Sequence, residues 1–181
     1  MLGEQAQHSG SLVVDGIPIN VASMDQAVSS IVRATQRGET FSVCTLNLDH
    51  VVQLQHRSDF RAAYRRARFV TADGFPIAIL SRLAGVPVER TTGADLIAPL
   101  CAEAGRRKIP VYLLGSNKLT LHRTARRLIR CYPGLKVVGS YAPEKNFDPH
   151  SAEADDAIDL LRTSGARLCF LALGAPKQEI F

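Results

Sequence analysis

Short runs of continuous apolar residues, each of strand length and each followed by a segment of helical period, recur along the whole chain. This alternation constrains the fold more than any single motif. Residues 41–46, 68–72, 110–114, 135–139 and 167–173 are such runs. A strand that is apolar on both faces has to be covered on both, and helices between the strands supply the cover. The pattern therefore predicts an α/β fold with a mostly parallel sheet and helices on both faces. Helical spacing is expected over 23–38, where Ser23 is the cap and Gln26 its capping-box partner, and over 48–67 as one or two helices broken near Ser58. Further helices are expected over 75–83, over 95–104 with Asp95 as an N-cap, and in a basic stretch after Asn117. The last, over 151–164, should turn Ala157, Ile158, Leu160 and Leu161 inward. Before all of these, residues 12–14 and 17–20 flank Asp15-Gly16, an N-terminal β-hairpin signal, with Pro18 confining the second strand to an edge.

At 181 residues and 46% hydrophobic, the chain can bury one sizeable core, so residues 12–181 read as one domain and residues 1–11 as a disordered lead-in. No apolar run is long enough to cross a bilayer, and the first residues have neither a basic n-region nor an apolar h-region, so a cytoplasmic location is expected. Cys44, Cys101, Cys131 and Cys169 are widely spaced and read as reduced core or surface thiols. The net charge of +5 favours an anionic partner: nucleotide, diphosphate, acidic membrane surface or nucleic acid. With no Trp, 6% aromatics and neither an RNP-like motif nor zinc-finger spacing, nucleic acid falls away.

In parallel α/β sheets ligands sit beyond the carboxyl ends of the strands, and four polar segments fall at those ends. Asp73 leaves a strand and precedes Gly74, which suits a general base projecting into the crevice; equally, Asp73 could cap the helix that follows. Thr45 and Asn47 end the first central run and offer donors and acceptors to a sugar or base edge, although Asn47 could instead cap the next helix. Gly115 and Ser116, with Asn117, form a turn at a helix N-terminus, where free N–H groups favour a phosphate, or else a plain strand-to-helix turn. Lys177, Gln178 and Glu179 place three long polar side chains after a buried strand, more than a structural turn needs. Arg90 could meet a carboxylate or a diphosphate, or merely solvate its loop. Lys118, His122, Arg123, Arg126, Arg127 and Arg130 line one basic helix, ordinarily a solvated face and otherwise a contact for anionic headgroups. The histidines and acids show neither D-x-D nor H-E-x-x-H spacing, so no metal ligands are expected.

Taken together, Thr45-Leu46-Asn47, Thr71-Ala72-Asp73-Gly74, Arg90-Thr91-Thr92-Gly93-Ala94-Asp95-Leu96, Tyr112-Leu113-Leu114-Gly115, Tyr132-Pro133-Gly134-Leu135 with Gly139, and Gly174-Ala175-Pro176-Lys177-Gln178-Glu179 resemble the ordered motif series of the WecG/TagA/CpsF glycosyltransferases. The resemblance runs from Leu12 to the end of the chain. It implies a Rossmann-like domain that transfers a hexose or N-acetylhexosamine from a UDP-sugar, with inversion, to a polyprenyl-diphosphate-linked acceptor. N-acetylmannosamine, its uronic acid and glucose all fit. The products feed cell-surface polysaccharide or exopolysaccharide. Carried over by position, Asp73 matches the proposed base, Thr45, Asn47 and Gln178 match polar residues around the substrate pocket, and Arg90 is a further member. The resemblance also implies no metal cofactor, peripheral contact with the inner face of the cytoplasmic membrane, and a helix and basic appendage beyond Pro-Lys-Gln-Glu that would assist docking and complete the site. A homo-oligomer is compatible with it. Two rival expectations are a truncated, catalytically weak relative that binds UDP-sugar, and a nucleotide-dependent oxidoreductase, which the missing glycine fingerprint disfavours.

Overall fold

A computed structural model of the chain describes residues 12–181; the first eleven residues, expected to be a disordered lead-in, lie outside the described residues. Leu12–Val14 (β1) and Ile17–Ile19 (β2) pair antiparallel around Asp15 and Gly16, both at positive φ, the geometry of a tight hairpin turn. The hairpin is pinned to the body from two sides. Arg61 donates to the Asp15 carboxylate at 2.6 Å and to its carbonyl at 2.9 Å. Asn20 donates to the Arg68 carbonyl and accepts from the Val70 N–H.

Met24–Gln36 (α1) starts where Ser23 accepts from Gln26 N–H, while the Gln26 side chain reaches back to Ala22 N–H at 2.7 Å, closing the expected capping box one residue early. Val43–Leu46 (β3) is followed by Leu48–His56 (α2) and Ser58–Arg66 (α3), which separate at Arg57, where the backbone turns extended. Phe69–Ala72 (β4) runs parallel to β3 in the register Val43↔Phe69 through Leu46↔Ala72. Phe75–Leu83 (α4) and Gly93–Arg107 (α5) come next. The second begins earlier than the pattern indicated, because Thr92, not Asp95, is its N-cap: the Thr92 hydroxyl accepts from Asp95 N–H at 3.0 Å. Val111–Gly115 (β5), Lys118–Cys131 (α6), Val137–Tyr141 (β6), Ala152–Thr163 (α7), Leu168–Ala172 (β7) and Lys177–Ile180 (α8) complete the chain.

The architecture is α/β and Rossmann-like, with parallel strands, helices on both faces and the N-terminal hairpin. Its parallel strands form two ladders, β3-β4 and β6-β5-β7. What joins them is side-chain packing: Val43, Phe69, Val111, Leu113, Leu168 and Phe170 all meet one core with residues of α1, α5 and α6. Alternate residues point the other way. Cys44, Leu46, Val70 and Ala72 pack under α2, α3 and α4, and Tyr112, Leu114 and Cys169 pack under α7.

Two expectations of burial change. Every residue of the central strand β5 is buried, but β7 is only partly covered and Ala172 is exposed, because β7 is the edge of its ladder. On α7 the inward positions are Ala154 and Ala157 with Leu161 alongside, a three- and four-residue spacing that leaves Leu160 49% exposed.

Gly105 on α5 lies against the turn at Pro133 and Gly134 so closely that a Cβ would come within 2.6 Å of the Pro133 carbonyl oxygen. An exposed helical Gly→Ala change normally stabilises by about 1 kcal/mol. At Gly105 the sign should reverse, with Gly105→Ala lowering unfolding free energy by about 2 kcal/mol. Chemical denaturation of the two proteins checks this, and a raised midpoint would show that the turn yields freely.

Candidate active site at the ends of β3 and β4

The parallel register sets the end of β3 beside the end of β4, and the Asp73 N–H extends the ladder by donating to the Leu46 carbonyl at 2.8 Å. Residues of odd number on these strands face away from the α2–α4 core, so Thr45 and Asp73 share a face. Thr45 Oγ1 donates to Asp73 Oδ2 at 3.0 Å. Asp73 is half-buried. It does not cap α4: that role falls to Gly74, at φ +94°, and no side chain caps the helix. Glycine is the residue that adopts this backbone without strain, and the turn lets the chain enter α4 while the Asp73 carboxylate stays directed by Thr45. Among the described residues Asp73 Oδ1 has no hydrogen-bond partner.

Behind this pair runs a polar relay that the sequence pattern did not signal. Tyr64 from α3 donates its hydroxyl to the Thr45 carbonyl at 2.9 Å, and His50 Nδ1 lies 2.6 Å from the same hydroxyl. Since Tyr64 donates onward, His50 carries its proton on Nδ1. Both rings are buried and stack edge-on with each other and with Phe60. Burial, followed by the charges near Cys44, Glu179 and Asp73, pushes the Tyr64 phenol far above its ordinary range, so it remains a neutral donor. A Tyr in an amphipathic helix and a lone His look like core residues in the sequence; only the end-on meeting of α2, α3 and β3 reveals the relay.

The other expected residues divide. Asn47 caps α2, its Oδ1 accepting from His50 N–H at 2.8 Å, which leaves the amide N–H₂ for another partner. Arg90 bridges to Ala72 and so stands beside the site. Its guanidinium is exposed, donates to Asp95 at 3.0 Å and lies over the Phe75 ring at 5.5 Å. Gln178 staples its own loop, accepting from Gly174 N–H and donating to Glu179 Oε1 at 3.0 Å. Glu179 is near enough to Cys44 and Tyr64 to push both groups upward, while its Oε2 is buried with no partner among the described residues. Gly115 ends β5, in the other ladder, and Ser116 follows it. A Cβ at Gly115 would run into the Ala172 carbonyl, and Ser116 N–H donates to that same carbonyl at 3.0 Å. A phosphate at this turn would therefore meet the first amides of α6, at Lys118 and Leu119, while Asn117 caps Thr120 N–H. Beside that helix start lies a cleft of about 880 Å³ lined by Lys118, His122, Tyr141 and Glu153, among others. Among the described residues no three His, Cys, Asp or Glu side chains converge as a metal site.

Parallel strands with helices on both faces and polar side chains beyond their carboxyl ends are the arrangement of a Rossmann-like α/β protein. The model of the Glycosyl transferase WecG/TagA/CpsF family matches residues 12–181, and the chain belongs to that family. It is a glycosyltransferase, of a family that serves cell-surface polysaccharide synthesis.

The four thiols give a direct check of this packing. Burial pushes Cys44 and Cys169 up to about 12, and Cys101 up to about 11, whereas Cys131 is exposed at the end of α6. Because the thiolate is the reactive form, iodoacetamide at pH 8 should add one rapid label, at Cys131, to the native protein and four after denaturation. Peptide mass spectrometry reads the positions, and rapid native labelling of Cys44 would contradict the closed core around β3.

Proposed function

We propose that the protein transfers a hexose or N-acetylhexosamine from a UDP-sugar to a polyprenyl-diphosphate-linked acceptor, with inversion at the anomeric carbon. Asp73 is the general base. The observation that carries this reading is the Thr45–Asp73 pair: a carboxylate freed from helix capping, oriented through one oxygen and open through the other. Family membership supplies the reaction class.

In this mechanism an acceptor hydroxyl attacks the anomeric carbon opposite the nucleotide. The new carbon–oxygen bond forms as the bond to the diphosphate breaks, UDP leaves with the electron pair, and the hydroxyl proton passes to Asp73 Oδ1. Thr45 holds Oδ2, so the basic oxygen points to the acceptor. Asn47 offers its amide N–H₂ to the donor sugar. The departing diphosphate is stabilised by the first amides of α6 and by Arg90, which must exchange Asp95 for the phosphate to do so. Gln178 acts by holding the α8 loop. N-acetylmannosamine, its uronic acid and glucose are the donors to compare, and the reading places no metal in the reaction.

Among the described residues no helix is long and apolar enough to cross a membrane. Reaching a lipid-linked acceptor then calls for peripheral contact with the inner face of the cytoplasmic membrane. The exposed cations of α6 give that contact an electrostatic component, which weakens as salt rises.

Asp73→Asn keeps the shape and removes the basicity, so turnover in the active enzyme should fall by about 100-fold or more while UDP affinity stays within about twofold. Thr45→Val, which loses only the orienting hydroxyl, should cost roughly tenfold. Near-normal turnover in the Asn variant would remove Asp73 from the base role. Transfer should also persist in excess EDTA, and strict dependence on added Mg²⁺ or Mn²⁺ would refute the metal-free mechanism.

A further inference from the structure

Two polar rings lie where a core ordinarily holds Phe and Leu. His50 of α2 is 5% exposed and Tyr64 of α3 is 1% exposed, and both pack edge-on against Phe60, with ring centroids 5.3 and 5.2 Å from it. A buried phenol and a buried imidazole each cost free energy unless hydrogen-bonded, whereas apolar side chains of similar size carry no such cost. The reason for the two polar groups lies in what they hold.

What they hold is the backbone of the candidate site. The carbonyls of Ser42 and Leu46 accept from the Phe69 and Asp73 N–H groups, so the even-numbered carbonyls of β3 face β4 and that of Thr45 faces away. No strand pairs with β3 on that side among the described residues, and the Tyr64 hydroxyl takes a strand's place by donating to the Thr45 carbonyl at 2.9 Å. His50 Nδ1 lies 2.6 Å from the same hydroxyl, and the backbone N–H of His50 donates to Asn47 Oδ1 at 2.8 Å. Thr45 in turn carries the hydroxyl that steers Asp73. One pair of packed rings is therefore tied to Asp73 through Thr45 and to Asn47 through α2. These are the two side chains that the proposed transfer sets against the acceptor hydroxyl and the donor sugar.

We propose that His50 and Tyr64 are positioning residues that hold Asp73 and Asn47 in register with each other, so that the attacking hydroxyl meets the donor sugar at reacting distance. The assignment rests on the transfer reading of the site, although the geometry it describes can be read without substrate. Both rings act through other residues. The link from Tyr64 to Thr45 ends on a backbone carbonyl, which has no proton to pass on, so the chain of hydrogen bonds is a brace and not a proton wire. A brace of this kind affects the rate more than the binding, because a misplacement of about 1 Å slows a reaction by about 100-fold while ground-state contacts can adjust.

Tyr64→Phe keeps the ring and deletes the hydroxyl. Its kcat should fall by about tenfold, with KM for the UDP-sugar and affinity for UDP within about twofold of the original. Because the hydroxyl acts through Thr45, Tyr64→Phe/Thr45→Val should be within about twofold of the slower single variant, whereas independent damage would multiply to about 100-fold. His50→Asn, whose amide can donate from near the position of Nδ1, should keep turnover within about threefold, and His50→Leu should lose about tenfold. Without substrate, Tyr64→Phe should speed hydrogen exchange at the His50 and Asp73 amides by about fivefold or more and leave the amides of β5 unchanged. If Tyr64→Phe does not fold, the two His50 variants carry the same comparison. Near-normal turnover in Tyr64→Phe, losses that multiply in the double variant, or unaltered exchange at both amides overturns the proposal. A wild-type protein that binds no UDP-sugar overturns the transfer reading instead, and the exchange measurement then decides the bracing by itself.

Discussion

The register between β3 and β4 is the constraint on which the rest of the candidate site depends. Pairing Leu46 with Ala72 puts Cys44, Leu46, Val70 and Ala72 into the core under α2–α4, and thereby turns Thr45 and Asp73 to the opposite face together. A slip of one residue would carry one strand's side chains into the opposite helical layer and separate Asp73 from Thr45 across the sheet. Such a slip costs several kcal/mol, so the core itself enforces the geometry of the polar pair. The Asp73 N–H to Leu46 carbonyl bond and the Thr91 N–H to Ala72 carbonyl bond, at 2.8 and 2.7 Å, carry that order past the strand ends, where side chains alone would be too mobile to keep it.

The frame was legible because its signals are local. Ser23 with Gln26, Asp15-Gly16 and the apolar runs each act over a few residues, and each produced the element expected of it. Where the reading erred, the deciding force came from further away. Thr92 takes the cap of α5 because the bridge at Arg90 has already fixed the chain's entry beside β4, and Asp95 is then drawn to Arg90. Leu160 stays outside because two alanines on α7 let the helix approach the sheet at a different phase. An apolar run indicates that a strand is buried, but not whether a neighbour covers its edge, and β7 has none on its second side among the described residues.

At the candidate site, sequence position indicates which residues end the strands but not what each side chain engages. In the sequence Asp73 and Asn47 each suit either a cap or a ligand contact, and the structure divides them: Asn47 caps its helix and Asp73 does not. The His50–Tyr64–Thr45 relay was invisible because a buried hydroxyl and a buried imidazole are satisfied only by partners far along the chain. Its effect is to fix the carbonyl of Thr45, and so the residue whose hydroxyl steers Asp73. Burial keeps that phenol neutral, so it holds the carbonyl as a donor without bringing a charge of its own.

Most of the polar groups gathered at the strand ends are already committed within the protein, and what remains unspent defines what a ligand can meet. Gln178 uses both ends of its amide on its own loop, Ser116 gives its N–H to β7, and Arg90 is shared between Asp95 and the face of Phe75. Among the groups still open are one acceptor oxygen on Asp73, one donor amide on Asn47, the buried Oε2 of Glu179 and, in the neighbouring ladder, the leading N–H groups of α6. An acceptor beside a donor suits hydroxyl groups, and helix-terminal amides suit an anion. In the proposed transfer Asp73 and Asn47 would face hydroxyl groups and the α6 amides the phosphate, so that the two ladders, joined through one core, would each supply part of the site.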